Sequence, residues 1–203
     1  LLIAKVLGAG LISDAFFIAF KLPNLFRRLF AEGSMNSAFI PVISGISEKS
    51  GKKKSDEFFS SIFSGLLIVL LTIILIVEIF MPLIVNLIAP GFTKNPDKFS
   101  LAVDLSRLTF PFVLFVCLTS LAGAYLNTMG KFASMAITPI ILNLTMIFTL
   151  LIFHNDGNKV YISNNLSLAV SFAGILQVLW IILNLKVNGV KLKLNLFDIS
   201  FFK

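Results

Sequence analysis

The sequence is poor in charged residues, cysteine and histidine, and these shortages exclude several kinds of protein. Only 13% of its 203 residues are charged, about half the share found in an average soluble domain. The single cysteine, Cys117, cannot form a disulfide within the chain, and the single histidine, His154, leaves no basis for a metal cluster. There is also no Ser–His–Asp set, no metal-ligand spacing and no phosphate-binding glycine loop. The sequence therefore predicts neither an enzyme nor a bound cofactor.

Long apolar runs dominate the sequence instead. Hydrophobic residues make up 57% of the chain, and the mean hydropathy is +0.96. A helix needs about 20 mostly apolar residues to cross a bilayer, and runs of that length cover residues 58–88, 101–128, 132–153 and 166–185. We expect Pro111 and Pro139 to kink their helices, because proline removes a backbone hydrogen bond. The predicted fold class is all-α, a polytopic transmembrane helical bundle.

The distribution of basic residues predicts the orientation in the membrane. A net charge of +7 would indicate nucleic-acid binding in a soluble protein. Here the basic residues lie between apolar runs, as is typical of topology signals and contacts with membrane lipids, so no nucleic-acid partner is predicted. One side of the bundle receives most of them, and we assign it to the cytoplasm by the positive-inside rule. Its lysines are Lys49, Lys52, Lys53, Lys54, Lys131, Lys186, Lys191 and Lys193.

Residues 11–48 are expected to form a further, discontinuous passage. They must connect the outer turn at 8–10 with the cytoplasmic lysines at 49–54. Pro23, Gly33 and Ser34 weaken the middle of this segment, so we expect half-helices at about 11–22 and 35–47 around an irregular centre. Irregular backbone at membrane depth is tolerated only where it lines a cavity or is buried in protein.

The charged stretch KLPNLFRRLFAEG, which begins at Lys21, indicates a binding site inside the membrane. Arg28 precedes Lys49 by 21 residues, which corresponds to roughly 30 Å of helix. The arginine pair is therefore expected well away from the cytoplasmic surface, where ionisable residues usually face a wet cavity. On a continuous helix one face collects Asp14, Lys21, Arg28 and Glu32, with Arg27 about a quarter-turn away. The positive excess and the planar arginine fork favour an anionic substrate, such as a phosphate with a lipid tail.

Several segments together resemble a known family. The run GAGLISDAFFIAFKLPNLFRRLFAEGSMNSAFIPV, residues 8–42, resembles the signature region of the MurJ (MviN) family of lipid II flippases in bacterial peptidoglycan synthesis. Similar segments follow in APGF (89–92), LTFPF (108–112) and LNTMGKFASMAITPIILN (126–143). The resemblance covers nearly the whole chain, and the long DAFF…KLPNL.RR.FAEG run is specific.

The resemblance implies an exporter fold of two lobes around a central cationic cavity, in the cytoplasmic (inner) membrane of a bacterium. Residues 1–203 would form an incomplete N-terminal lobe of about six membrane passages, lacking the start of helix 1 and the whole second lobe. The implied substrate is lipid II, an undecaprenyl-pyrophosphate-linked disaccharide pentapeptide, and the implied mechanism is alternating access. We expect that one lobe alone cannot transport.

The resemblance also implies roles for residues of the charged stretch. Arg27 would be a cavity arginine for the pyrophosphate, and Asp14 and Glu32 would be the associated acidic positions. The helical face favours Arg28 instead; we follow the resemblance, because Pro23 makes a simple helical projection unreliable. The predicted substrate-binding residues are Arg27, Arg28, Asp14, Glu32, Lys21 and Asn24.

Other functions remain open at this point. The nearest alternative is a flippase for another polyprenyl-linked oligosaccharide, such as an O-antigen unit. A non-transporting membrane scaffold that recruits cell-wall synthesis or division proteins would tolerate neutralised cavity charges. A drug/cation antiporter should show more acidic and aromatic cavity chemistry, and an enzyme acting on a lipid-linked phosphate lacks a candidate general base near the arginines.

Overall fold

The computed structural model describes residues 2–29 and 35–194, and in these ranges the chain is helical, without β-strands. The α-helices are α1 (Leu2–Leu7), α2 (Leu11–Leu29), α3 (Met35–Ile79), α4 (Met81–Ile88), α5 (Pro96–Thr109), α6 (Phe112–Thr128), α7 (Ala133–Ala136), α8 (Thr138–Phe153) and α9 (Lys159–Val187). A short 3-10 helix, Pro90–Lys94, connects α4 to α5. The predicted all-α class is confirmed.

Within the part of the chain that the structure describes, four helical segments are long and apolar enough to span a membrane, which confirms a polytopic membrane bundle. They are Ser37–Ile79, Pro96–Thr128, Ala133–Phe153 and Lys159–Val187. The predicted run 58–88 is shared by two helices: α3 ends at Ile79, and α4 starts anew at Met81. Pro82 lies in the first turn of α4, where a missing N–H costs nothing, whereas inside a helix it would break a hydrogen bond.

The two expected proline kinks appear as interruptions between helices. Phe110 and Pro111 separate α5 from α6. Pro139 lies in the first turn of α8, so the interruption falls before it, at Ile137. Both prolines therefore mark breaks, but each occupies the position where its ring is best tolerated, at or just before a helix start.

The passage formed by residues 11–48 differs from the prediction in its first half. Helix α2 does not stop at residue 22 but continues through Pro23, which is buried, to Leu29. Proline inside a helix removes one hydrogen bond and kinks the axis without having to end the helix. The rest of the predicted irregular centre, residues 30–34, lies outside the described residues.

Helix α3 contains the predicted second half of that passage and the beginning of the next apolar run. It begins at Met35 and changes direction at Gly51, whose backbone is not helical (φ 80°, ψ 167°). A positive φ is open to glycine at little cost, because glycine has no Cβ. The bend lies among the lysines at 49–54, where the sequence predicted the cytoplasmic end of the passage.

Helix α6 forms the centre of the bundle and packs against α3 and α9. Almost every side chain from Phe112 to Leu126 is buried. On the α3 side, the ring of Tyr125 stacks on Phe59 with centroids 4.4 Å apart, and the Tyr125 hydroxyl donates a hydrogen bond to Asp56. Helix α2 packs mainly against α5, where the Thr109 hydroxyl donates to the Ala19 carbonyl at 2.9 Å. These contacts determine which face of α2 remains exposed.

Candidate functional site

Helix α2 has one apolar, buried face and one exposed face that carries charge. Ala15, Phe16 and Ala19 are fully buried against the bundle. Three predicted site residues lie on the opposite, exposed side: Asp14, Lys21 and Arg28. A charged side chain at membrane depth faces a bundle interior or a water-filled space rather than lipid. The amphipathic character of α2 therefore favours a polar cavity on this side of the bundle.

Arg27 is half-buried and lies on a different side of α2 from Arg28. Its Nε donates a hydrogen bond to the Oδ1 atom of Asn24, one turn earlier, at 3.0 Å. This bond fixes the plane of the guanidinium group. Arg27 lines a cavity of about 350 Å³, here called the Arg27 cavity, to which α6, α7, α8 and α9 also contribute. The polar residues that share it are Asn127, Thr138 and Gln177.

Asp14 lies far from the Arg27 cavity, at the other end of α2. Its carboxylate pairs with the Nζ atom of Lys98 at the start of α5, at 2.5 Å, and the same ammonium lies 4.3 Å from the ring centre of Phe92. The 13 residues from Asp14 to Arg27 correspond to about 20 Å of helix. One pyrophosphate therefore cannot contact both side chains, and Asp14 has a structural partner of its own.

The structure thus brings together only part of the predicted site. Asn24 and Arg27 are in direct contact. Lys21 and Arg28 share the exposed face with Asp14 but do not line the Arg27 cavity. Glu32 lies outside the described residues. The role of each of these residues in binding substrate stays a prediction.

The ion pair between Asp14 and Lys98 is expected to contribute little to stability. The two side chains are 53% and 21% exposed, respectively, and an exposed pair contributes at most about 1 kcal/mol. We expect Lys98→Gln to lower the melting temperature in detergent by only a few degrees. A double-mutant cycle with Asp14→Asn measures the coupling, and a coupling above about 2 kcal/mol would contradict a surface-type pair.

A second polar cavity, of about 500 Å³, lies near the bend of α3 and was not predicted from the sequence. Its charged lining residues are Lys52, Lys131 and Glu48, and Tyr125 closes one side. The Lys52 ammonium donates to the Asn188 carbonyl at 3.2 Å, past the end of α9. The sequence analysis treated these lysines only as topology signals. Their convergence depends on the bend at Gly51.

The sequence analysis did not predict the other polar residues of the Arg27 cavity, which are Asn127, Thr138 and Gln177; two of them, Asn127 and Gln177, carried a signal. Both are amides within predicted membrane-spanning runs, 101–128 and 166–185. An uncharged polar residue in such a run is a signal that was available. It did not indicate which helix face the amide occupies or that both residues line one cavity.

The fold and the site together define a multi-pass helical membrane protein with an arginine in a half-open cavity lined by polar and apolar side chains. Comparisons with known proteins identify the family within this class. The family described as "Lipid II flippase MurJ" matches residues 3–200, and the chain belongs to this family. It is therefore a multi-pass protein of the bacterial inner membrane.

Individual relatives agree with the family match. A "Probable lipid II flippase MurJ" of Rickettsia prowazekii (strain Madrid E) is 44% identical over 188 residues, which cover 91% of this chain and 36% of the relative. One of Rhizobium tropici is 37% identical, covering 96% of this chain and 37% of the relative. A solved structure, "Lipid II flippase MurJ, inward closed conformation", matches with a TM-score of 0.80 at 30% identity, covering 99% of this chain and 41% of that one. The chain thus spans little more than a third of these relatives.

Proposed function

We propose that residues 1–203 form an incomplete N-terminal lobe of a two-lobe flippase that moves lipid II across the cytoplasmic membrane. The observation that carries this proposal is the position of Arg27, oriented by Asn24 in a cavity of the bundle that also contains the side chains of Asn127 and Thr138. The family supports lipid II as the substrate in this proposal, because its members are named probable lipid II flippases.

The chemistry of the site suits the pyrophosphate of such a lipid. The guanidinium group is planar, stays charged at all physiological pH values and matches the oxygen spacing of a phosphate. The polyprenyl tail would remain in the bilayer beside the bundle while the polar group enters the cavity.

Alternating access would then move the bound group across the membrane. One relative was solved in a conformation described as inward closed, which supports a cycle of discrete states in the family. In such transporters one bundle rocks against the other around a fixed site, on timescales of microseconds to milliseconds or slower. The packed core around α6 makes the lobe a unit that can move as one body.

The proposal is tested in cells depleted of their own lipid II flippase. We expect the complete two-lobe protein to restore lipid II at the outer surface, and residues 1–203 expressed alone to fail at equal abundance. Surface lipid II is measured by labelling from outside. Restoration by residues 1–203 alone would refute the two-lobe account. Restoration of a different polyprenyl-linked oligosaccharide, but not of lipid II, would identify the alternative substrate class.

A further inference from the structure

The cavity of about 500 Å³ at the bend of α3, here called the bend cavity, presents exposed charged groups of both signs. Glu48 lies on the half of α3 before Gly51, and Lys52 lies on the half after it. Lys131 lies in the turn that follows α6, where its N–H bonds to the Leu126 carbonyl at 3.0 Å. None of the three charged side chains forms an ion pair within the described ranges. Their charges are therefore available to a ligand.

Contacts between the walls hold the bend cavity in shape. The Lys52 ammonium donates to the Asn188 carbonyl at 3.2 Å, which ties α3 to the end of α9. On another side, the Tyr125 hydroxyl lies 3.4 Å from the Ser55 Oγ atom, which ties α3 to α6. All four of these residues line the cavity. Segments that are distant in the chain therefore enclose one polar space, and the charged groups belong to its walls.

The positive and negative contributions to the bend cavity nearly balance. Lys52 and Lys131 supply two positive charges, and Glu48 supplies one negative charge. Thr128, the last residue of α6, and Asn188, the C-cap of α9, also line the cavity, so the carbonyl ends of both helices add partial negative charge. A simple anion or a simple cation would meet repulsion from one part of this lining. A ligand that carries both charges fits it better.

We propose that the bend cavity binds a phosphate ester that also carries an ammonium group, as in the headgroup of a zwitterionic phospholipid or in soluble phosphoethanolamine. Lys52 and Lys131 bind the phosphate, because a lysine ammonium has three N–H donors and Lys52 uses one of them on Asn188. Glu48 and the helix-end carbonyls bind the ammonium group. A cavity of about 500 Å³ has the usual size of a ligand site. This site is separate from the Arg27 cavity and does not depend on lipid II transport.

The test compares two phospholipids that differ in the group attached to the phosphate. Short-chain phosphatidylethanolamine, which has the ammonium group, and phosphatidylglycerol, which lacks it, are each titrated into the purified two-lobe protein in detergent. Bound lipid is measured by native mass spectrometry. We expect Lys131→Gln to weaken binding of both lipids about fivefold, the upper value for one exposed ion pair. Glu48→Gln should weaken phosphatidylethanolamine binding by a similar factor, and leave phosphatidylglycerol binding unchanged or stronger, because it removes a like charge.

An exposed lysine outside the cavity provides the matched control. Lys54 lies on the same half of α3 as Lys52 but does not line the bend cavity. We expect Lys54→Gln to change the binding of either lipid less than twofold. Lys52→Gln would also break the bond to Asn188, so Lys131→Gln is the decisive variant. The Lys131 ammonium has no hydrogen bond or ion pair within the described ranges, so Lys131→Gln should keep the melting temperature of the unmodified protein.

Competition with soluble phosphoethanolamine identifies the source of the ligand. Displacement of phosphatidylethanolamine at a similar concentration would indicate a soluble ester, whereas displacement only at a far higher concentration would indicate a membrane lipid. Equal effects of Glu48→Gln on the two phospholipids would refute recognition of the ammonium group. If Lys131→Gln weakens binding no more than Lys54→Gln, the lysines act only through the general charge of the surface, and the bend cavity is refuted as a binding site.

Discussion

Replacing Arg27 by alanine is expected to reduce delivery of lipid II to the outer surface strongly without reducing the amount of protein. The guanidinium group is oriented by Asn24 in a cavity of the bundle, and a hydrogen bond to a charged group contributes about 1.5–3 kcal/mol. Its loss corresponds to a reduction in affinity of roughly 10- to 150-fold. The measurement is surface lipid II in cells depleted of their own flippase, with abundance followed by immunoblot.

Two further variants show whether the position or only the charge of Arg27 matters. Arg27→Lys keeps the charge but loses the planar fork, so we expect partial transport. Arg28→Ala, on the exposed face of α2, should have the smaller effect of the two alanine variants. A larger loss of transport in Arg28→Ala than in Arg27→Ala would show that the exposed face of α2 binds the substrate. Normal delivery in both alanine variants would make the pair structural and favour a scaffold that recruits cell-wall synthesis or division proteins.

Replacing Gly174 by leucine is expected to prevent normal accumulation of the protein. Gly174 on α9 packs directly against α6: an added Cβ would lie 2.8 Å from the Phe115 Cβ atom and 2.9 Å from Phe112 Cδ2. The Phe115 Cβ is attached to the backbone, so a rotamer change cannot relieve the clash and the helices must separate. Small residues allow this close approach between membrane helices. For Gly174→Ala we expect a loss of about 1–3 kcal/mol, visible as a lower melting temperature in detergent.

Two other glycines serve as controls for this prediction. Gly65 on α3 has nothing within 4 Å of an added Cβ, so Gly65→Ala should be neutral or slightly stabilising, because alanine favours helix. An added Cβ at Gly123 would lie 2.6 Å from Met135 Sδ, but the flexible methionine side chain can move. We expect the destabilisation to increase in the order Gly65, Gly123, Gly174. Equal melting temperatures for the Gly65 and Gly174 variants would contradict tight α6–α9 packing.

The membrane-spanning regions could be predicted well because they depend on length and composition alone. A run of about 20 apolar residues is stable across a bilayer wherever its neighbours lie. Helix boundaries were predicted less well. Pro23 was expected to end a helix that continues to Leu29, whereas the apolar run 58–88 is divided between α3 and α4 next to Pro82. A proline imposes only a local free-energy cost, from the lost backbone hydrogen bond and the ring clash. The packing around it decides whether the helix bends or breaks.

The sequence by itself determined the class of protein, the apolar segments long enough to span a membrane and the charged stretch around Arg27. Only the tertiary structure decided that Asp14 pairs with Lys98 and that Asn127 and Gln177 share a cavity with Arg27. The physical reason is that hydropathy and charge are properties of a segment. The rotation and depth of one helix against another depend on side chains packed across the interface, as at Gly174 and Phe115. Residues distant in the chain therefore meet in ways that no local pattern specifies.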